Sequence, residues 1–225
     1  MAIARFKDLC IDAVDATTVG RFWAAVLDRD LELLESGASV LNGPTPGHTI
    51  WVNVVPEPKM VKNRVHLDVY ARRLADLEAI GATVVDTGDG DGRWTVMADP
   101  EGNEFCAFLR EEIPAERLHG LVVDCADPLR EARWWAEAYD ADLVEQPQGY
   151  ATVQQIPGMP ILTMDFVPVP ESKTVKNRLH WDVTVGNLEQ LAERGARVML
   201  PEGGDRRWHV MADPEGNEFC AFVRD

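Results

Sequence analysis

Two stretches of this 225-residue chain are nearly identical, and they constrain its fold more than any other feature. One runs from Lys59 to Arg110 and contains KNRVHLDV and RWTVMADPEGNEFCAFLR. The other runs from Lys173 to Arg224 and contains KNRLHWDV and RWHVMADPEGNEFCAFVR. The offset is 114 positions without a gap, so His66 matches His180 and Cys106 matches Cys220. A repeat of this kind makes each copy a structural unit and divides the chain into two domain-sized halves. These are residues 1–110 and 118–225, joined by the polar, proline-containing segment 111–117.

A fainter repeat lies inside each half. Phe6 to Ala13 alternates, with Leu9, Ile11 and Ala13 on one face and Asp8, Cys10 and Asp12 on the other, which marks a half-buried strand. Asp15 is placed to cap a helix in which Val19, Phe22, Trp23, Val26 and Leu27 recur at helical spacing. Three short strands follow, stopped by Pro56-Glu57-Pro58 because proline cannot continue a ladder. The same order returns from Val65, with a helix over Arg72 to Ile80. It returns again from Leu118, where LVVDCADP matches LCIDAVDA and Trp134 and Trp135 stand at the places of Phe22 and Trp23. A fourth round starts at Val175, with Asn187 before its short helix. In the second and fourth rounds a DPEGN turn joins the last two strands, with glycine where a positive φ is wanted. The fold class is therefore α+β, in four βαβββ units at 5–58, 62–110, 118–170 and 175–225. The sequence leaves open how these units pair.

Composition narrows the partners. A net charge of −16 argues against nucleic acid and anionic membranes, which need a basic surface to displace counterions. No apolar run approaches the roughly 20 residues that span a bilayer, and the N-terminus has acidic residues where a signal peptide needs an apolar core. A cytoplasmic protein is expected. The four cysteines form no CxxC pair, which excludes a zinc ribbon and a thioredoxin motif and points to reduced thiols.

Tandem βαβββ units, a histidine in the opening strand of units two and four, and the DPxGN turn resemble the vicinal oxygen chelate superfamily. This group contains glyoxalase I, extradiol dioxygenases and the bleomycin-resistance proteins. FWAAVL, VKNRVHLDV and DPEGNEFC are similar to its bacterial glyoxalase-like domain proteins. The resemblance implies that two units make an eight-stranded cup, with metal ligands on the first and last strands of each unit. Matched residue by residue, the histidine ligand falls on His66 and His180, and the usual glutamate ligand falls on Cys106 and Cys220. The opening-strand position falls on Asp8 in unit one and Gly120 in unit three, with Asn53 and Asp165 the nearest polar residues on their last strands. A divalent metal is thus possible but not favoured. The residues named for one are His66 and Asp8, since stable sites want three or four protein ligands.

Alternation puts Arg64, His66 and Asp68 on one face, and Arg178, His180 and Asp182 on its repeat. Such a row can bind an anionic or hydroxylated ligand, with arginine as the carboxylate clamp and His66 as acid or base. The bland alternative is a ladder of hydrogen bonds between strands. Cys106, sharing a face with Glu104, is a nucleophile only if a cation lowers its pKa, and a small buried hydrophobe otherwise. Trp94 and Trp208, at matching positions, are the ligand-contacting aromatics preferred here, with core packing as the alternative. Three readings follow, in this order. The first is a cup that binds a small organic molecule without metal, as the resemblance to sequestering bleomycin-resistance proteins implies. The second is a lyase, isomerase or dioxygenase-like enzyme using His66. The third is a scaffold without catalysis. Because the repeat has Gly120 in place of Asp8, Trp181 in place of Leu67 and His209 in place of Thr95, the two cups differ, and the N-terminal one is expected to be the better site.

Overall fold

The computed structural model describes residues 1–87 and 93–224. Unit one comprises β1 (Ala4–Ala13), α1 (Ala16–Leu27), β2 (Asp30–Leu33), β3 (Ser39–Asn42) and β4 (Ile50–Val54). Unit two comprises β5 (Val65–Ala71), α2 (Leu74–Glu78), β6 (Thr83–Asp86), β7 (Thr95–Ala98) and β8 (Glu104–Leu109). Unit three has β9 (Leu118–Cys125), α3 (Pro128–Tyr139), β10 (Asp142–Glu145), β11 (Ala151–Gln154) and β12 (Thr163–Pro168). Unit four has β13 (Leu179–Val185), α4 (Glu189–Ala192), β14 (Arg197–Leu200), β15 (His209–Ala212) and β16 (Glu218–Val223). Every unit keeps the expected order.

The long helices begin where their caps dictate. Asp15 accepts a hydrogen bond from the Thr18 amide at 3.0 Å, and Asp127 accepts one from the Arg130 amide at 3.1 Å. Helix α2 is shorter than the Arg72 to Ile80 span expected, because Arg73 is still extended (φ −147°). Asn187 accepts from the Glu189 amide at 2.8 Å, at the start of the single turn of α4.

The strands form two eight-stranded sheets that do not follow the sequence halves. The first runs β14-β15-β16-β13-β1-β4-β3-β2 and joins unit four to unit one; the second runs β10-β11-β12-β9-β5-β8-β7-β6 and joins unit three to unit two. The seams are antiparallel, β1 with β13 and β5 with β9. Each curved sheet presents one concave face, called here the outer-pair cup (units one and four) and the inner-pair cup (units two and three).

The halves of the sequence are held together differently, through their helices. Trp23 of α1 lies 5.3 Å from the Phe105 ring of β8 and donates its indole N–H to Asp99 at 3.2 Å. Trp135 of α3 repeats this with Phe219 at 5.1 Å and Asp213 at 3.4 Å. Asp99 and Asp213 open the two DPEGN turns. Asp99 folds its own turn by accepting the Glu101 and Asn103 amides, both at 2.9 Å, and Gly102 has the positive φ (83°) that the turn requires. The glutamate at the third position reaches out of the turn. Glu101 accepts from the backbone of Val14 and Asp15 at 3.0 and 2.6 Å, and Glu215 accepts from Ala126 and Asp127 at 2.7 and 2.8 Å. A loop that reads as a simple reversal therefore grips the strand-to-helix junction of the preceding unit.

One side chain breaks the apolar pattern beneath α3. Glu131 is fully buried and stands where unit one has Val19. Burial first, and the neighbouring Asp213 carboxylate second, push its carboxyl up to about 10. The folded protein thus holds a proton that the unfolded chain releases above its ordinary pKa of 4.5. The associated stability is complete below that value and is lost as pH climbs toward about 10. Glu131→Gln keeps the shape and removes the proton requirement. The expected outcome is a gain of about 1–3 kcal/mol at pH 8 and little change at pH 4, read by calorimetry.

Candidate functional site

The outer-pair cup is organised by a bulge in β1. Phe6 faces Val183 and Asp8 faces Asp182, so Lys7 is an extra residue without a partner across the seam. A bulge re-aims side chains, and it turns Lys7 onto the same concave face as Asp8 and Cys10. The Lys7 ammonium lies 2.6 Å from Asp8 Oδ2 and 3.5 Å from Asp182 Oδ2. It also sits 4.3 Å from the centre of the Phe222 ring. Trp51 donates its indole N–H to the same Asp8 oxygen at 3.3 Å, and Cys10 donates its thiol to Asp182 at 3.6 Å.

Above this floor opens a cavity of about 560 Å³, walled by Trp51, Trp208, Phe222 and Asn53. Trp208 stacks on Phe222 with 5.5 Å between ring centres. Two further lining carboxylates are already paired, Asp12 with Lys176 and Glu218 with Lys173. Burial first, and then the charge of Asp8, push Asp182 up to about 7. Burial also works against the charge of Lys7, but the bond to Asp8 and the surrounding carboxylates outweigh it and hold Lys7 above the ordinary lysine value. His180 is held below the ordinary histidine value, chiefly by burial, so its ring is neutral at pH 7. Two buried polar atoms of this floor have no hydrogen-bond partner, Asp8 Oδ1 and His180 Nδ1.

The inner-pair cup repeats the bulge with different contents. Asp68 faces Gly120 and Val69 faces Leu118, which leaves His119 as the extra residue. His119 shares a 2.8 Å hydrogen bond with the Tyr70 hydroxyl and meets Phe108 edge-on at 5.2 Å. Trp94 lies 6.1 Å from the same Phe108 ring. Asp165 accepts from the hydroxyls of Thr152 and Thr163 at 2.6 and 2.8 Å. Gly120 leaves this floor low, since a Cβ there would come within 3.1 Å of Thr163 Oγ1. His66 Nε2 is 3.5 Å from Asp68 Oδ1 and 3.6 Å from Cys106 Sγ. Burial, then Lys62, lowers His66 to about 4; burial, then Asp165, raises Asp68 to about 8. His66 is therefore neutral, and Asp68 Oδ1 is left without a hydrogen bond.

These positions sort the residues singled out in the sequence. His66, Asp68 and Cys106 come together in one cup, and His180, Asp182, Cys220, Asn53 and Trp208 in the other. Asp8 does not join His66. The β1–β13 seam places it beside Asp182, so the pair His66 and Asp8 is not a site. The expectation of a better N-terminal cup is corrected for the same reason, because residues 1–110 contribute to both sheets and the 560 Å³ cavity holds His180. Arg64 and Arg178 precede their strands and leave the cups. Arg64 donates to the carbonyls of Glu171 and Asp124 at 2.7 and 3.0 Å, and Arg178 donates to Glu101 at 2.9 Å and to the Glu57 carbonyl. Glu104 accepts from Lys59 and from the Asn63 amide at 2.8 and 3.0 Å, which braces the loop before β5. Lys7 and His119 were missed. The signal for both was a polar residue in line with the core-facing residues of its strand, Lys7 with Leu9 and Ile11, and His119 with Leu121 and Val123.

The donors decide which cup suits a metal. In the outer-pair cup the positions implied by the resemblance are Asp8, Asn53, His180 and Cys220. Asp8 is engaged by Lys7 and Trp51, and the same Lys7 ammonium reaches Asp182. Cys10, His180 and Asp182 also bring ligand atoms within 4.8 Å of one another, but the Cys10 thiol donates to Asp182 and Lys7 stands beside it. This floor does not fit a divalent ion, since a lysine ammonium already supplies its positive charge. In the inner-pair cup, His66, Asp68 and Cys106 have ligand atoms within 4.8 Å and an unbonded carboxylate oxygen, and these can hold one.

Cys106 is poorly set up as a nucleophile. Burial first and Asp68 second push its thiol far above the ordinary range, opposite to the shift that makes a reactive thiolate. Burial likewise leads the upward shifts of Cys10, Cys125 and Cys220. Ellman's reagent at pH 8 is expected to label less than one thiol rapidly in the native protein and four after unfolding. A single fast native thiol assigned to Cys106 would restore it as a nucleophile.

A sequence family described as a glyoxalase-like domain matches residues 8–108 and 120–222. Among solved structures, glyoxalase I from Zea mays is similar over 98% of this chain and 92% of its own, at 12% identity and a TM-score of 0.69. A putative dioxygenase from Bacillus subtilis subsp. subtilis str. 168 covers 97% of this chain and 84% of its own, at 14% identity and a TM-score of 0.66. The cppA protein from Streptococcus pneumoniae TIGR4 covers 99% of both chains, at 13% identity and a TM-score of 0.52. At these identities the likeness is one of fold. No curated protein matches the chain by sequence. No helix among the described residues is long and apolar enough to cross a membrane.

Proposed function

For a chain that belongs to the glyoxalase-like domain family, we propose that the outer-pair cup binds a small organic molecule without a metal ion. One observation carries this reading: a cavity of about 560 Å³ with aromatic walls opens onto a floor where the Lys7 ammonium sits between Asp8 and Asp182. That volume suits a small ligand, and a few convergent polar groups among aromatic walls are the usual make-up of such a site. Trp51 and Trp208 supply the contact area, while His180 and Asp182 orient the ligand by hydrogen bonding.

The reading is tested by screening small organic molecules against the protein in EDTA, following the indole N–H resonances of Trp51 and Trp208. Saturable shifts of both are expected, with affinity reduced by about tenfold in Trp208→Ala, on the order of what one large aromatic contact contributes. Binding that needs an added divalent ion would overturn it.

A second reading rests on the inner-pair cup, where His66, Asp68 and Cys106 converge with an unbonded oxygen on Asp68. A divalent ion bound there would supply a Lewis acid able to polarise a substrate oxygen. The chain's own part would be to hold that ion with three donors, while Tyr70 and His119 present a hydrogen-bonding wall. Elemental analysis of protein purified without added metal or a histidine tag separates the two. A ratio near zero would remove the second reading. A near-integer ratio that disappears in His66→Ala would favour an enzyme centred on His66.

A further inference from the structure

The floor of the outer-pair cup is rich in acceptors and short of donors. Asp8 and Asp182, 5% and 4% exposed, face each other across the β1–β13 seam, and a single ammonium, that of Lys7, serves both. Asp8 Oδ1 and His180 Nδ1 are buried without a partner. Of the other lining cations among the described residues, Lys176 is paired with Asp12, and Arg206, at the rim, gives one N–H to the carbonyl of Pro201 while its Nε has no partner. The aromatic walls favour positive charge as well, and Lys7 already uses one of them, 4.3 Å from the centre of Phe222.

We infer that the ligand of this cup is an organic cation, a protonated amine or amidine on an aromatic or apolar body. Its N–H groups supply further donors to the carboxylate pair that shares one ammonium, and its body lies between Trp51 and Trp208. The inference rests on the proposed binding role of the cup and names the class of molecule it takes. Lys7 occupies the position that the ligand's charged nitrogen shares or takes over. An anion of the same shape would meet the Asp182 carboxylate on the floor, where the lining cations Lys7 and Lys176 are already paired with Asp8 and Asp12.

Three probes with one body separate the possibilities: phenethylamine, 2-phenylethanol and phenylacetate. Each is titrated in EDTA while the Trp51 and Trp208 indole resonances are followed. Phenethylamine is expected to bind about tenfold or more tightly than 2-phenylethanol, with phenylacetate the weakest, in line with the strength of charge-assisted hydrogen bonds. Asp182→Asn should remove most of that preference. Phe222→Leu, at a half-buried wall position, should weaken phenethylamine more than 2-phenylethanol by removing an aromatic face that favours positive charge, and it keeps the test decisive if Asp182→Asn does not fold. Tighter binding of phenylacetate at the same tryptophans would overturn the inference and leave the cup a binding site. No response of these tryptophans to any of the three probes would overturn both.

Discussion

The antiparallel seam between β1 and β13 is the contact on which the outer-pair cup depends. It joins strands that are distant in sequence and sets Asp8 opposite Asp182 and Cys10 opposite His180. A shift of one residue in this register would send every cup residue to the helix side of the sheet. The register is secured from behind, because Leu9, Ile11, Trp181 and Val183 are all buried in the core beneath the helices. The bulge at Lys7 departs from that register at one place. It does so at the cost of a ladder bond, and in return it brings a cation onto a floor that would otherwise hold two buried carboxylates alone.

A second constraint works at right angles to the first. The seams tie unit one to unit four and unit two to unit three, while each DPEGN turn ties a unit to the one before it. Glu101 closes on the junction at Val14 and Asp15, and Arg178 of unit four donates to the same Glu101. One glutamate thus touches three of the four units. The two sheets are consequently locked together by charge-assisted bonds at the turns as well as by the shared apolar core.

Much of this was legible in the residues. The gapless repeat, the alternation of strands and the aspartate caps specify four βαβββ units, because the repeat is visible by comparison along the chain and the other two are each local to a dozen residues or fewer. Unit pairing was not legible, since the strands of all four units have the same alternating pattern and nothing in that pattern selects a neighbour. Asp8 was therefore set beside His66 in expectation and lies beside Asp182. Arg64 and Arg178 were placed in the cups by extending the alternation one residue beyond the start of β5 and β13, where the chain is no longer in the sheet. Lys7 escaped notice because strict alternation sets it with Leu9 and Ile11, a rule that holds only while the ladder is unbroken. Its mismatch with Leu9 and Ile11 was visible, and a charged residue in a core row is a reason to suspect a bulge.

The nested pairing of the units also bears on how the molecule comes into being. The inner pair, β5 to β12, is continuous along the chain and can close its sheet while synthesis is still under way. The outer pair cannot, because β1 must wait for β13, which is made after every strand of the inner pair. During that wait β1 keeps an open edge next to β4, with Asp8, Cys10 and Lys7 lacking their counterparts, and such unpaired edges are where chains aggregate. The charged row of β1 then has a second use, as protection for a strand that is born long before its mate.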